Sequence, residues 1–575
     1  MMKPSRSILL ALALAACTSE VPEKQVAAPV SGPLHSEFEE TDEGKSFYGP
    51  FVAATLAHHD ENYTRAARYY LDALNLDPDS QFVADRAFFQ LLYAGRPDDA
   101  ARVAAEILAK PDAPQDDLIR MMYVLEAYKR DDWPEVRERL KASGNTGFSF
   151  LVTPILQAWS YAAEGNRGDA LATLDALLSD PRLKGIGEEQ VAYILDHLGD
   201  YEGAKAAYEK IVAAERPTSF QPIVSYAYMM YRAGFKADAR AFLGEQTARF
   251  GDNGFLMREG MRITAGYAPT QDTSTPRGAA GSVFYGLGTE FAQGQSMQAG
   301  VVYLRVASYM MPEVAETYIM LGGLLEKLGI HEAAATTYSA VAPTSPLREL
   351  AELKRIGALR AAGDGAGAEA LVRSGLRENP NNSTLLATLA DMLREKEQFQ
   401  EAAVRYGQVI DQIRQPGARD WFVFFARGVC YERMGDWAKA ETDLVTALRL
   451  NPGEPSVLNY LGYSWIDRGM NVDRAKDMIK QAVEQRPDDG FVVDSLGWVH
   501  YLTGNYDDAV TELEKAVKLE PNDPTINHHL GDAYWRVGRK IEARFQWRHA
   551  LDNGPDDKER PELLQKLQEG LPDLS

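Results

Sequence analysis

In the last third of the 575-residue chain, apolar, small and turn-forming positions recur in register. Gly435, Gly469, Gly504 and Gly538 are 34, 35 and 34 residues apart, and three other columns move with them at spacings of 35, 34 and 34. These are Ala440, Ala475, Ala509 and Ala543; Ala447, Ala482, Ala516 and Ala550; and Pro452, Pro487, Pro521 and Pro555. Leu461-Gly462, Leu496-Gly497 and Leu530-Gly531 form a further column. A period of this length marks a stacked repeat array, and a recurring glycine suits the turn after a helix. Small residues such as Gly497 and Ala509 let the two helices of a repeat approach closely, and Ala516 meets the next repeat. Proline lacks an amide hydrogen and disfavours helix in the residue before it, so its column closes the second helix.

Together these columns resemble the tetratricopeptide repeat. The resemblance implies an all-α fold, a right-handed superhelical solenoid of helix-turn-helix repeats. Read backwards, the register places repeats starting near 47, 81, 117, 151, 185 and 220, then 280, 315, 349 and 383, then 421, 455, 490 and 524. The first is carried by Ala66, Tyr70, Ala73 and Pro78; the one near 117 rests on Trp133 and Leu140, with Val136 where alanine is expected. Tyr267 to Gly281 is too rich in turn formers to be helix. It predicts an internal boundary, with an N-terminal array over 47–266, a loop over 267–279 and a C-terminal array over 280–557. Gln415 to Arg419 is a shorter insertion, and residues 558–575, with Glu562 to Leu567 at their centre, are expected to form a capping helix over the last apolar face.

The chain opens with Lys3 and Arg6 before an apolar run from Ile8 to Ala16, the order of a secretory signal and too short to span a bilayer. It ends in Leu14-Ala15-Ala16-Cys17, which resembles the bacterial lipobox. The resemblance implies a signal peptide over 1–16, lipidation of Cys17, and an outer-membrane address, since Thr18 and not aspartate follows. Residues 17–46 then hold the lipidated cysteine and a polar, proline-containing flexible tether.

The composition is that of a folded chain, 45% hydrophobic and 25% charged. Lys and Arg number 61 against 83 Asp and Glu, a formal charge of -22, which argues against a nucleic-acid partner. With Cys17 and Cys430 alone there is no disulfide framework, and the nine histidines form no metal-ligand spacing. His500 shares a column with Tyr431, Trp465 and Tyr534 and reads as a packed core residue, as does Cys430. Gly363-Asp364-Gly365-Ala366-Gly367 falls at an inter-helix turn, and Asp98-Asp99 and Asp507-Asp508 precede helices, where carboxylates favour the helix dipole. No catalytic constellation emerges, and no enzyme activity, cofactor or metal is expected.

In tetratricopeptide proteins the inner surface is lined by positions 2, 5, 9, 12 and 13 of each first helix. Carried onto this sequence they give Phe422, Phe425 and Val429, then Asn459, Tyr463 and Ile466, then Asp494, Trp498 and Tyr501, then His528, Asp532 and Trp535. Aromatic side chains with polar handles fit a protein-docking surface; the competing reading is that neighbouring repeats pack over them. The carboxylate clamp of chaperone-binding members is not expected, Asn459 being the one match.

Lipobox, tether and long repeat body together resemble bacterial envelope lipoproteins that act as adaptors for carboxyl-terminal processing proteases. What this implies is a non-enzymatic scaffold that gathers a periplasmic protease and its cell-wall hydrolase substrates, with separate surfaces for each. The other reading is a lipoprotein of envelope assembly, secretion or pilus biogenesis. Solenoid edges also allow a homo-oligomer.

Overall fold

The computed structural model describes residues 47–572, apart from 61, 111–115, 143–146, 214–218, 252, 295 and 558. The expected signal peptide, Cys17 and the whole of the expected tether, residues 1–46, therefore lie outside the described residues. Among the described residues all regular structure is helical: fourteen helix pairs, the second member of the fourth being broken into Arg167–Thr173 and Asp175–Ser179, two unpaired helices, Gly254–Ala265 and Glu559–Glu569, and a short 3-10 turn, Ala418–Asp420. The pairs begin at Tyr48, Gln81, Asp117, Ser149, Lys184, Gln221, Pro276, Ala315, Arg348, Ser383, Trp421, Pro455, Gly490 and Pro524, matching the register of the sequence columns. The repeat near 117 is a real pair, Asp117–Lys129 and Trp133–Lys141, with Val136 and Leu140 buried.

Helix starts follow local chemistry. Asp489 accepts from the amides of Phe491 and Val492, and Asp523 from that of Ile526, satisfying donors that have no partner inside the helix. The turn glycines at 435, 469, 504 and 538 have φ between +66° and +85°, a region that costs other residues strain. Within the repeat beginning at Gly490, a Cβ at Gly497 would lie 2.6 Å from Leu513 Cγ and 3.1 Å from the Leu513 backbone nitrogen. The close approach of helices Gly490–Leu502 and Tyr506–Leu519 therefore requires glycine at 497. Ala516 is buried with Val493 and Ile526, the latter from the next repeat.

The chain divides into two compact units, one ending at Ala368 and the other beginning at Glu369. This corrects the expected boundary at 267–279. An unpredicted helix, Gly254–Ala265, fills part of the gap, and the next begins at Pro276, capped by Thr275. The turn-rich segment between them is docked. Gln271 and Thr273 are buried, Gln221 donates to the Gln271 carbonyl at 3.2 Å, and Ser225 and Thr273 hydroxyls lie 2.6 Å apart. Thr270 bonds the buried Glu259 carboxylate, and the Ser274 carbonyl lies 2.8 Å from His197 Nδ1. Polar composition marked this segment as a linker, but its polar groups are used inside the unit.

From there the chain folds back over the first helices of the preceding repeats. Helix Pro276–Gln293 packs on Ser149–Ala162, and Met297–Met310 packs on Gln81–Tyr93 and Asp117–Lys129. Tyr128 donates to the Pro276 carbonyl at 3.2 Å, Arg277 pairs with Asp131, Tyr303 meets Phe148, and Lys129 lies over the Tyr309 ring. The first helices here are accordingly buried on most sides, Gln221–Arg232 almost throughout. Helices apolar all round belong in a core. Arg305 is buried at the end of this contact, donating to the Tyr93 carbonyl and Thr337 Oγ1 with no carboxylate partner among the described residues, and burial pushes its guanidinium down to about 10.

Candidate functional site

In the first unit, residues 276–310 pack on the first helices Gln81–Tyr93, Asp117–Lys129 and Ser149–Ala162, although Phe82 stays 53% exposed. The second unit differs. Its first helices Ser383–Glu395 and Trp421–Arg433 keep much of their surface outside the core. Phe422 is 40% exposed and Phe491, at the equivalent position two repeats on, is 55% exposed. Phe425 is half-buried, edge-on to Tyr460 at 5.7 Å. Asn459 and Tyr463 are half-buried on the next helix, Pro455–Asp467. The Asn459 Oδ1 is a buried acceptor without a donor among the described residues. Burial and the carboxylates of Asp494, Asp467 and Glu559 hold the Tyr463 hydroxyl well above the usual tyrosine range, so it stays a donor.

The other expected groove residues sit between helices. Asp494 is buried and bonded by both oxygens to His529 Nδ1, at 2.9 and 3.0 Å. Trp498 is stacked between Tyr501, at 4.6 Å, and His529, at 3.9 Å. The Tyr501 hydroxyl accepts from Arg536. His528 and Asp532 are both buried: Lys566 of the last helix donates to His528 Nε2 and Asp532 Oδ2, each at 2.7 Å, and Trp547 donates to Asp532 Oδ1. Trp535 packs on Trp547 and donates to the Leu571 carbonyl. For Asp494, His528 and Asp532 the docking reading is therefore corrected. In these two repeats the next helix covers those side chains, and a partner cannot reach them directly.

Two residues of this network were not found from the sequence. His529 lies beside a column position and not in it, and Lys566 was read only as part of a capping helix. Burial opposes charge on His529, but the charge and hydrogen bond of Asp494, helped by Asp532, outweigh it and raise its pKa. His528 goes the other way, pushed down to about 4 by burial and by the Lys566 ammonium against the opposing pull of Asp532. The remaining chemistry-bearing residues behave structurally. Cys430 is fully buried and its thiol is pushed up to about 11 by burial; Asp98-Asp99 and Asp507-Asp508 lie in first turns. Among the described residues no three His, Cys, Asp or Glu side chains are grouped to hold a metal, and no helix is long and apolar enough to cross a membrane.

Residues 190–217 and 421–454 match the family described as tetratricopeptide repeat, and residues 497–538 match the TPR repeat family. The fold is a solenoid of tetratricopeptide repeats. A TPR repeat-containing protein of Pseudomonas aeruginosa is 28% identical over 220 residues, 38% of this chain and 36% of that protein. Superkiller complex protein 3 of Mus musculus is 25% identical over 191 residues, 33% of this chain and 12% of that protein. The chain thus spans 36% of the length of the first of these curated relatives and 12% of the second. Among solved structures, the APC/C hetero-tetramer Cut9-Hcn1 aligns over 91% of this chain and 96% of that one, at 13% identity and a TM-score of 0.38.

Proposed function

We propose that this solenoid is a non-enzymatic, lipid-anchored scaffold of the bacterial outer membrane that binds proteins through the inner face of its second unit. In this reading it brings a periplasmic carboxyl-terminal processing protease to cell-wall hydrolase substrates. The observation that carries the choice of surface is the run of aromatic side chains on the second unit's first helices, with Phe422 and Phe491 exposed and Phe425 and Tyr463 half-buried, whereas in the first unit the returning chain packs on three of the first helices. Exposed aromatics flanked by hydrogen-bonding groups bury large area at low entropic cost. The anchor rests on Cys17 and the residues before it.

The test is affinity capture of the lipidated protein from detergent-solubilised envelopes, beside a Phe422→Ala, Phe491→Ala variant, with partners identified by mass spectrometry. Both phenylalanines are exposed, so the variant spares the core that Trp498→Ala would disturb. Recovery of a protease with the natural protein and its loss with the variant is the expected result. Recovery only of membrane assembly subunits overturns the protease reading in favour of envelope assembly.

A further inference from the structure

The repeat register sets each outward position of a second helix beside its equivalents in other repeats. Two places before the alanine column of Ala440, Ala475, Ala509 and Ala543 stand Ala438, Asp473, Asp507 and Ile541, and two places after it stand Thr442, Asp477, Thr511 and Phe545. All eight are exposed, so these positions face solvent in each of the four repeats and no neighbouring repeat packs on them. Packing asks for nothing apolar there, and three repeats hold alanine, threonine or aspartate. The fourth holds an isoleucine that is 86% exposed and a phenylalanine that is 65% exposed.

Helix Lys540–Asp552 carries this pair on the side away from its buried residues, Ala543, Trp547 and Ala550. Lys540, Arg544 and Arg548 recur beside it at helical spacing. Lys540 and Arg544 lie over the Trp535 ring, each 4.9 Å from its centre, and Arg544 also donates to the Leu567 carbonyl. None of the three cations pairs with a carboxylate among the described residues, whereas Glu542 on the same helix is taken by Arg539 at 2.8 Å. Asp552 is the one other acid, at the helix end. A chain of formal charge -22 thus presents here a face that is both apolar and cationic.

Such a face suits an acidic segment with an aromatic side chain, since guanidinium groups pair strongly with carboxylates and the exposed apolar area gains by being covered. The chain contains one. Five of the seven residues from Glu37 to Glu43 are acidic, with Phe38 among them, and no other stretch of seven carries as many acids. It lies outside the described residues, which begin at Phe47.

We propose that the outward face of Lys540–Asp552 docks the acidic segment Glu37–Glu43 of a second copy of this chain, with Phe38 on Ile541 and Phe545 and the carboxylates on Lys540, Arg544 and Arg548. Because the contact joins two different surfaces, it closes only in a reciprocal dimer or a ring and otherwise continues head to tail. It uses a second helix, and so leaves the inner face free for other partners.

The probe is a fluorescent peptide of residues 34–46, titrated by anisotropy onto the full chain in detergent and onto an Ile541→Asp, Phe545→Thr, Arg548→Glu variant. The preceding repeat holds Asp507, Thr511 and Glu514 at these places, so the variant keeps a face the fold already accepts. Saturable binding to the natural chain, weakened at least about tenfold in the variant and falling as salt is raised, is the expected result. No saturable binding, or equal binding by a variant whose circular dichroism is unchanged, overturns the proposal. A peptide with Glu37→Gln, Glu39→Gln, Glu40→Gln, Asp42→Asn and Glu43→Gln needs no variant protein and should lose binding; if it binds as tightly, the charge pairing is wrong. Sedimentation velocity at micromolar concentration should show association of the natural chain that the variant lacks, and a monomer throughout overturns the second copy as occupant. Pelleting with vesicles of phosphatidylglycerol and phosphatidylethanolamine, lost in the variant and unaccompanied by peptide binding, overturns the proposal in favour of an anionic lipid surface.

Discussion

At the scale of single residues, the repeat columns divide into positions set by backbone and positions set by contact. Gly504 has φ +79° and nothing within 4 Å of an added Cβ, so Gly504→Ala should cost about 1 kcal/mol, from backbone strain alone. Gly497→Ala would place its Cβ 2.6 Å from Leu513 Cγ and should cost about 2 kcal/mol by forcing two helices apart. Chemical denaturation of the two variants separates these causes. The paired histidines give opposite pH signatures. The depressed pKa of His528 contributes stability that is present above its ordinary value of 6.5 and is lost as pH falls through about 4. The raised pKa of His529 contributes stability that is present below 6.5 and is lost as pH rises through its folded value. Imidazole resonances should show His528 neutral at pH 5 while His529 remains protonated above 6.5; a shared midpoint would contradict the Asp494 and Lys566 assignments.

At the scale of elements, starts and stops were legible because capping carboxylates, turn glycines and closing prolines act within a few residues. The segment 267–275 is a loop, as its turn formers predict, but that it is docked, and that helix resumes at Pro276 inside the loop expected over 267–279, was not legible for the same reason. Its threonines, serine and aspartate are what a loop contains, and only their partners, Gln221, Ser225, Glu259 and His197, reveal that it is docked. Limited proteolysis of the folded chain should therefore spare 267–275, where a free linker would be cut first. Arg305 tests the contact that follows. Arg305→Ala should cost about 3 kcal/mol, since it opens a cavity and strips the Tyr93 carbonyl and Thr337 of a donor. Arg305→Met, which fills the space without a buried charge, should fall within about 1 kcal/mol of the natural protein. Thermal unfolding of both variants checks the pair.

At the scale of the whole molecule, the function proposed for the chain depends on its anchor and on which surfaces are open. Cys17→Ser should move the protein from the membrane fraction to the soluble periplasmic fraction without altering its helical content; continued membrane retention would show that Cys17 is not the anchor. The repeat columns and the resemblance they carry determined the all-α helix-pair architecture, the register of its fourteen pairs and the terminal helix, because each depends on residues no more than about 35 positions apart. Which inner-face residues stay open was decided only in three dimensions. Asp494, His528 and Asp532 occupy the same columns as accessible side chains elsewhere, and what buries them is the next helix, or Lys566 beyond it. The packing of residues 276–310 on first helices of the first unit is likewise a contact between segments up to about 200 residues apart, and a 34-residue repeat carries no record of which distant helix will return to lie against it.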